Sequence, residues 1–133
     1  MGRALRTMAL GLGLALAAGC GASLGRDARA GEWEEGLAVY YSDALQGHKT
    51  ANGETYDKAK LTAAHLRLPL GSIVRVLRLS DRRSVEVRVN DRGPFGDSDR
   101  IIDLSRAAAE RLGMIGDGIV RVRVEVVELP GEK

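Results

Sequence analysis

The sequence predicts a mainly β domain, a small closed barrel that carries one sure helix. Three observations predict it. Two stretches alternate valine with polar residues: Val85, Val87 and Val89 in the first, Val120, Val122, Val124 and Val126 in the second. A period of two is the mark of a strand with one buried face. A helical segment separates these strands, and glycine is abundant, at 17 of 133 residues, as suits short strands joined by tight turns. Alternating strands on either side of a helix fit a barrel closed on itself better than an open sheet.

The elements follow in chain order. Arg3 and Arg6 precede an apolar run from Met8 to Ala18 that is too short to span a bilayer but fits a signal-peptide core. It leads into Leu16-Ala17-Ala18-Gly19-Cys20, small residues before the only cysteine, similar to a bacterial lipobox with alanine in place of the usual leucine at 17. Residues 1–19 are therefore expected to be a lipoprotein signal peptide, with Cys20 as the lipid acceptor. Residues 20–35, rich in Gly, Ala, Arg and acids, read as a flexible tether. The folded domain is expected over 36–129.

Within that domain, GLAVYYS (36–42) reads as a strand, and the polar stretch from Asp43 to Lys60 as a long loop of the kind that carries function. LTAAHLRLPLG is a short apolar segment stopped by Pro69 and Gly71. SIVRVLRLS and SVEVRVND form two strands around a turn at Asp81-Arg82-Arg83. RIIDLS is a short strand, and Ser105 caps a helix that Gly113 ends. GIVRVRVEVVEL is the last strand.

Composition excludes several classes. The net charge is only +2, and cleavage before Cys20 would remove Arg3 and Arg6 to leave 18 basic against 18 acidic residues. Aromatics are 4 % of the chain, so neither a polyanion-binding face nor a stacking groove for nucleic acid is expected. His48 and His65 have no metal-ligand spacing, and no cofactor motif appears.

The residues that could carry chemistry are few. Asp91 continues the Val85-Val87-Val89 face and ends it in a carboxylate just before Gly93-Pro94. Partial desolvation there would suit a general acid, while a turn acid accepting backbone hydrogen bonds is the plainer reading. Glu54 lies in the TANGE loop, His65 beside an apolar stretch, and Asp103 in RIIDLS, where Arg92 or Arg100 could partner it.

Taken in series, GLAVYYS, GHKTANGETYD, LTAAHLRLPLG, VRVNDRGPF and RIIDLSRAAAERLG resemble the rare lipoprotein A (RlpA) family, in its order and spacing. The resemblance covers about residues 36–127. It implies a mainly β, six-stranded double-psi β-barrel with one or two short helices. It also implies an endolytic lytic transglycosylase that cuts the β-1,4 bond between N-acetylmuramic acid and N-acetylglucosamine in peptide-stripped glycan strands. No cofactor is needed, because the sugar's own 6-hydroxyl attacks and leaves a 1,6-anhydro end. Carried over by motif, Asp91, Glu54 and His65 are the catalytic residues and should line one groove. Tyr41, Thr50, Asn52, Arg92 and Asp103 are the expected substrate contacts. The expected partners are glycan strands and, through the lipid anchor, a membrane. A monomer facing the periplasm from the outer membrane is the expected setting in a Gram-negative cell. The chain stops shortly after the last strand, so targeting to division sites by a further glycan-binding domain is not expected. The competing readings are an expansin-like module that binds polysaccharide without cutting it, and a structural envelope lipoprotein.

Overall fold

The computed structural model describes residues 23–96 and 99–131. The expected signal peptide and Cys20 lie outside them. Six strands are present: β1 (Trp33–Tyr40), β2 (Thr62–Ala64), β3 (Ile73–Arg78), β4 (Ser84–Asp91), β5 (Arg100–Leu104) and β6 (Val120–Glu128). Among the described residues one helix, α1 (Arg106–Leu112), and a single 3-10 turn at Asp43–Leu45 complete the order. The strands close in the order β1-β5-β2-β4-β3-β6, with β1 parallel to β5, β2 parallel to β4 and the other pairs antiparallel. This is the expected six-stranded double-psi barrel.

The valine faces meet inside it. Val85, Val87 and Val89 of β4 and Val122, Val124 and Val126 of β6 are buried together with Val74 and Val76 of β3. Each such side chain contributes roughly 1.5–3 kcal/mol by leaving water. Helix α1 closes one end. The Ser105 hydroxyl accepts from the Ala108 amide at its start, Gly113 ends it at φ 72°, and Ala108, Ala109 and Leu112 face the core. Gly36 is required by packing: a Cβ there would meet Ile101 Cγ2 at 2.7 Å and the Asp99 carbonyl at 3.0 Å, where β1 presses on β5.

Two sequence expectations need correction. Strand β1 begins at Trp33 rather than Gly36. The described part of the expected tether is also packed on the barrel. Leu24 and Ala28 are buried in the main core, the Gly31 amide donates to the Val126 carbonyl, and the Arg123 guanidinium sits 4.0 Å over the Trp33 ring. Two isolated apolar residues carry no periodicity, so composition alone read the stretch as solvated.

Candidate active site

The site forms where β4 leaves the barrel. Along β2, Thr62 lies opposite Arg88, Ala63 opposite Val89 and Ala64 opposite Asp91, so Asn90 is left over as a bulge. A bulge re-aims the side chains that follow it. Alternation fails at this point, and Val89 and Asn90 are buried in succession. Asp91 therefore does not simply extend the valine face. Both it and Asn90 turn to the loop at residues 50–54.

That loop is built to meet them. The Glu54 carbonyl accepts from the Thr50 amide at 2.8 Å, and the Thr50 hydroxyl donates to Asn52 Oδ1 at 2.7 Å. Asn52 Oδ1 also accepts from the Glu54 amide at 3.0 Å, while the Asn52 amide donates to the Asn90 carbonyl. Thr50 and Asn52, expected to touch substrate, are engaged in shaping this loop. Asp91 Oδ1 accepts from the Ala51 amide at 2.8 Å and from the Arg92 amide at 2.9 Å. Asp91 Oδ2 accepts from the Tyr41 hydroxyl. Tyr41 packs on Tyr56 with ring centroids 4.6 Å apart, and both rings pack with Ala64. Burial, and then the bond to Asp91, push the Tyr41 hydroxyl far above its ordinary range, so it remains a donor.

Glu54 reaches the same strand from outside. Its Oε1 accepts from Arg88 Nη2 and from Asn90 Nδ2, each at 3.0 Å. The Arg88 guanidinium, then Asn90, hold this exposed carboxyl down at about 2. Glu54 lines a polar groove with Asp57, Lys60, Thr62, Arg88 and Asn90.

Asp103 is treated in the opposite way. From β5 it pairs with Ala64 of β2, as Asp91 does from β4. Asp91, Ala64 and Asp103 thus form one row across three adjacent strands, and the small Ala64 separates two carboxyls. At about 4.8 Å per strand, their backbones lie about 10 Å apart. Asp103 Oδ1 is enclosed and accepts no hydrogen bond from the described residues. Burial, and then the charge of Asp91, push the Asp103 carboxyl up to about 7, with Arg100 opposing.

The His65 ring does not join this group. It is buried at 3 % exposure, with Nε2 2.7 Å from Glu34 Oε2. Its Nδ1 accepts from the Arg67 and Leu68 amides, each at 3.1 Å, which fixes the tautomer with hydrogen on Nε2. Only the backbone of His65 meets Asp91, its amide donating to the Asp91 carbonyl at 3.1 Å. Arg92 braces the same turn, with Nη1 donating to the carbonyls of His65 and Leu68. Neither Arg92 nor Arg100 forms an ion pair with Asp103 within 4 Å among the described residues, and Asp91 is the charge that most affects it after burial.

Sequence reasoning missed Glu34 as the partner of His65, Asn90 as the clasp on Glu54, and Tyr56. A carboxylate in β1 cannot be linked to a histidine 31 residues away by spacing.

Comparisons with known proteins agree with this architecture. A lytic transglycolase family profile matches residues 34–124. The chain belongs to that family. The endolytic peptidoglycan transglycosylase RlpA of Campylobacter jejuni is 50 % identical over 97 residues, covering 73 % of this chain and 35 % of that protein. The protein of the same name from Pseudomonas aeruginosa is 56 % identical over 93 residues, covering 70 % and 27 %. This chain thus spans about a third of the length of the curated RlpA relatives it matches. Among solved structures, the Streptomyces papain inhibitor superposes with a TM-score of 0.62 at 27 % identity, covering 77 % of this chain and all of that one. The expansin of Clavibacter michiganensis superposes at 0.54 and 22 % identity, covering 75 % and 52 %, a likeness of fold.

Proposed function

We propose that this RlpA-family barrel cuts peptidoglycan glycan strands by transglycosylation, with Asp91 and Asp103 as its proton-handling carboxyls. The observation that carries the reading is their common row across Ala64, one carboxyl ringed by donors and the other half-buried with one enclosed, unpartnered oxygen. The names of the RlpA relatives supply the substrate class.

The chemistry balances. Asp103, neutral, gives its proton to the leaving glycosidic oxygen as the bond to the muramic C1 breaks. The sugar's 6-hydroxyl oxygen then bonds to C1, and Asp91 takes the proton that this hydroxyl loses. Passing that proton from Asp91 back to Asp103 restores the start, so no water and no net proton are consumed. Both carboxyls serve one internal displacement, and no nucleophilic water has to be placed between them. Glu54, ionised at the rim, would stabilise positive charge developing on the sugar ring. Tyr41 and the Ala51 amide would orient Asp91, and His65 would act as a positioning residue by holding the 65–68 turn. Thr50 and Asn52 would present the loop to the sugar.

The same reading makes Cys20 a lipid acceptor that holds a monomeric barrel to the outer membrane, facing the wall. Incorporation of a fatty-acid analogue that Cys20→Ala abolishes is the check on that anchor.

Incubation with peptide-stripped sacculi, read by mass, tests the activity. The wild-type chain should release 1,6-anhydromuramic products, and Asp91→Asn should lower their rate by about 10²-fold or more. Wild-type protein that binds stripped strands and releases nothing would leave a binding module in place of an enzyme.

A further inference from the structure

A cleft of about 370 Å³ adjoins the site through Arg92 and is lined by Arg26, Leu66, Arg67, Pro69 and Arg92. Three of its five walls are arginines and none is an acid. Elsewhere on the barrel several arginines meet acids. Arg75, Arg78, Arg88, Arg106 and Arg123 each pair with a carboxylate within 4 Å. Arg26 and Arg67 have no hydrogen bond or ion pair from their side chains among the described residues. Glu34, which lines the neighbouring cleft with Arg67, has its oxygens on the Leu24 amide and the His65 ring. Arg92 is held in place by two carbonyls, so one wall of the cleft is already ordered before any ligand arrives.

Guanidinium groups gathered without a counter-charge repel one another, and a bound anion relieves the repulsion. Arginine's planar fork suits a carboxylate in particular. Leu66, 38 % exposed, and Pro69 give the same cleft an apolar side. The required ligand is a carboxylate with a small apolar group beside it, near a carboxyl that works on a sugar.

We propose that this cleft is a carboxylate subsite that seats the lactyl group of an N-acetylmuramic acid unit, its carboxylate on the arginines and its methyl against Leu66 and Pro69. The inference rests on peptidoglycan being the substrate. When a stem peptide is attached, this carboxyl is a neutral amide. The arginines therefore favour stripped units by charge, and Arg26 and Arg67 become specificity-determining residues.

Binding of the full chain to stripped glycan strands, and to the same strands with lactyl carboxyls reduced to alcohols, tests this. Wild-type protein should bind the reduced strands about tenfold more weakly, the scale of one charge-assisted hydrogen bond. The double variant Arg26→Gln/Arg67→Gln should bind native strands about tenfold more weakly and no longer distinguish the two. Wild-type protein that binds both strands equally would overturn the subsite without any variant. So would a double variant that binds native strands as wild type does, or one whose affinity falls equally on both. If the double variant keeps its glycan affinity but loses binding to phosphatidylglycerol vesicles, the anion is a lipid headgroup and the proposal fails. None of these readouts needs turnover. A chain that discriminates carboxylates and yields no anhydro product refutes the transglycosylase reading alone, and an active chain that does not discriminate refutes the subsite alone.

Discussion

Glu54 and Asp103 are the two further carboxyls of the site besides Asp91, and the fold treats them in opposite ways. Glu54 is exposed and accepts from a guanidinium and an amide, so it stays ionised down to about pH 2. Asp103 is half-buried in a row with another acid and has one enclosed, unpartnered oxygen, so its proton is retained to about pH 7. Both acids stand out in the sequence as members of short motifs. Their protonation states were decided by strands and loops far away in the chain: Arg88 and Asn90 for one, Asp91 and the β2–β5 pairing for the other. A motif can find an acid, but only its surroundings decide whether that acid can give a proton at neutral pH.

The largest expected effect breaks or sharpens this contrast directly. Asp103→Asn should lower the anhydro-product rate by about 10²-fold, comparable to Asp91→Asn. Wild-type activity should fall as pH rises through about 7, where Asp103 loses its proton. In the variant that alkaline limb should be absent from the residual activity. Stability gives a second reading. The folded pKa is raised, so the protonated form favours folding below the unfolded value near 4, and this advantage is lost as pH rises to about 7. Asp103→Asn should therefore flatten the fall in thermal stability between pH 4 and pH 7. A variant that folds, works at the wild-type rate and keeps the alkaline limb would leave Asp91 to do both proton transfers.

How much was legible beforehand follows from the same contrast. The barrel was readable because its strands carry strict alternation, and the Val120–Val126 run needs no long-range information to declare its face. The helix was readable from Ser105 and Gly113, which act within one turn. The bulge at Asn90 was not, because it arises from the register of β4 against β2, and that register is invisible along a single strand. Asp103 reads in the sequence only as a contact, since the burial of its Oδ1 depends on three strands meeting. The packing of Leu24 and Ala28 was hidden for the same reason.

An intermediate effect separates framework from chemistry at His65. Removing the ring in His65→Ala would leave Glu34 Oε2 buried without its partner and the Arg67 and Leu68 amides without an acceptor. Breaking a buried pair in this way costs about 3 kcal/mol, so denaturant unfolding should shift by that order. The folded fraction should keep the alkaline limb near pH 7, because the ring meets Glu34 and not the carboxyl row. Loss of that limb without loss of stability would place His65 in the proton path instead.

The smallest expected effect is at Glu54, and it tests the other half of the contrast. Glu54→Gln keeps the shape and one acceptor oxygen for Arg88 and Asn90 but removes the charge. The carboxyl is exposed, so solvent screens its pair with Arg88, and the variant should lose less than about 1 kcal/mol at pH 7 and low salt. The folded pKa of Glu54 is depressed, so its contribution is present above the unfolded value near 4.5 and vanishes as pH falls to about 2. The difference in thermal stability between wild type and variant should close over that window, and added salt at pH 7 should shrink it. Any activity the variant loses should be lost evenly across pH, because a carboxylate that is ionised throughout the working range stabilises charge without titrating. If Glu54→Gln instead abolishes the alkaline limb near pH 7, the proton is held at the rim, and the roles of Glu54 and Asp103 are exchanged.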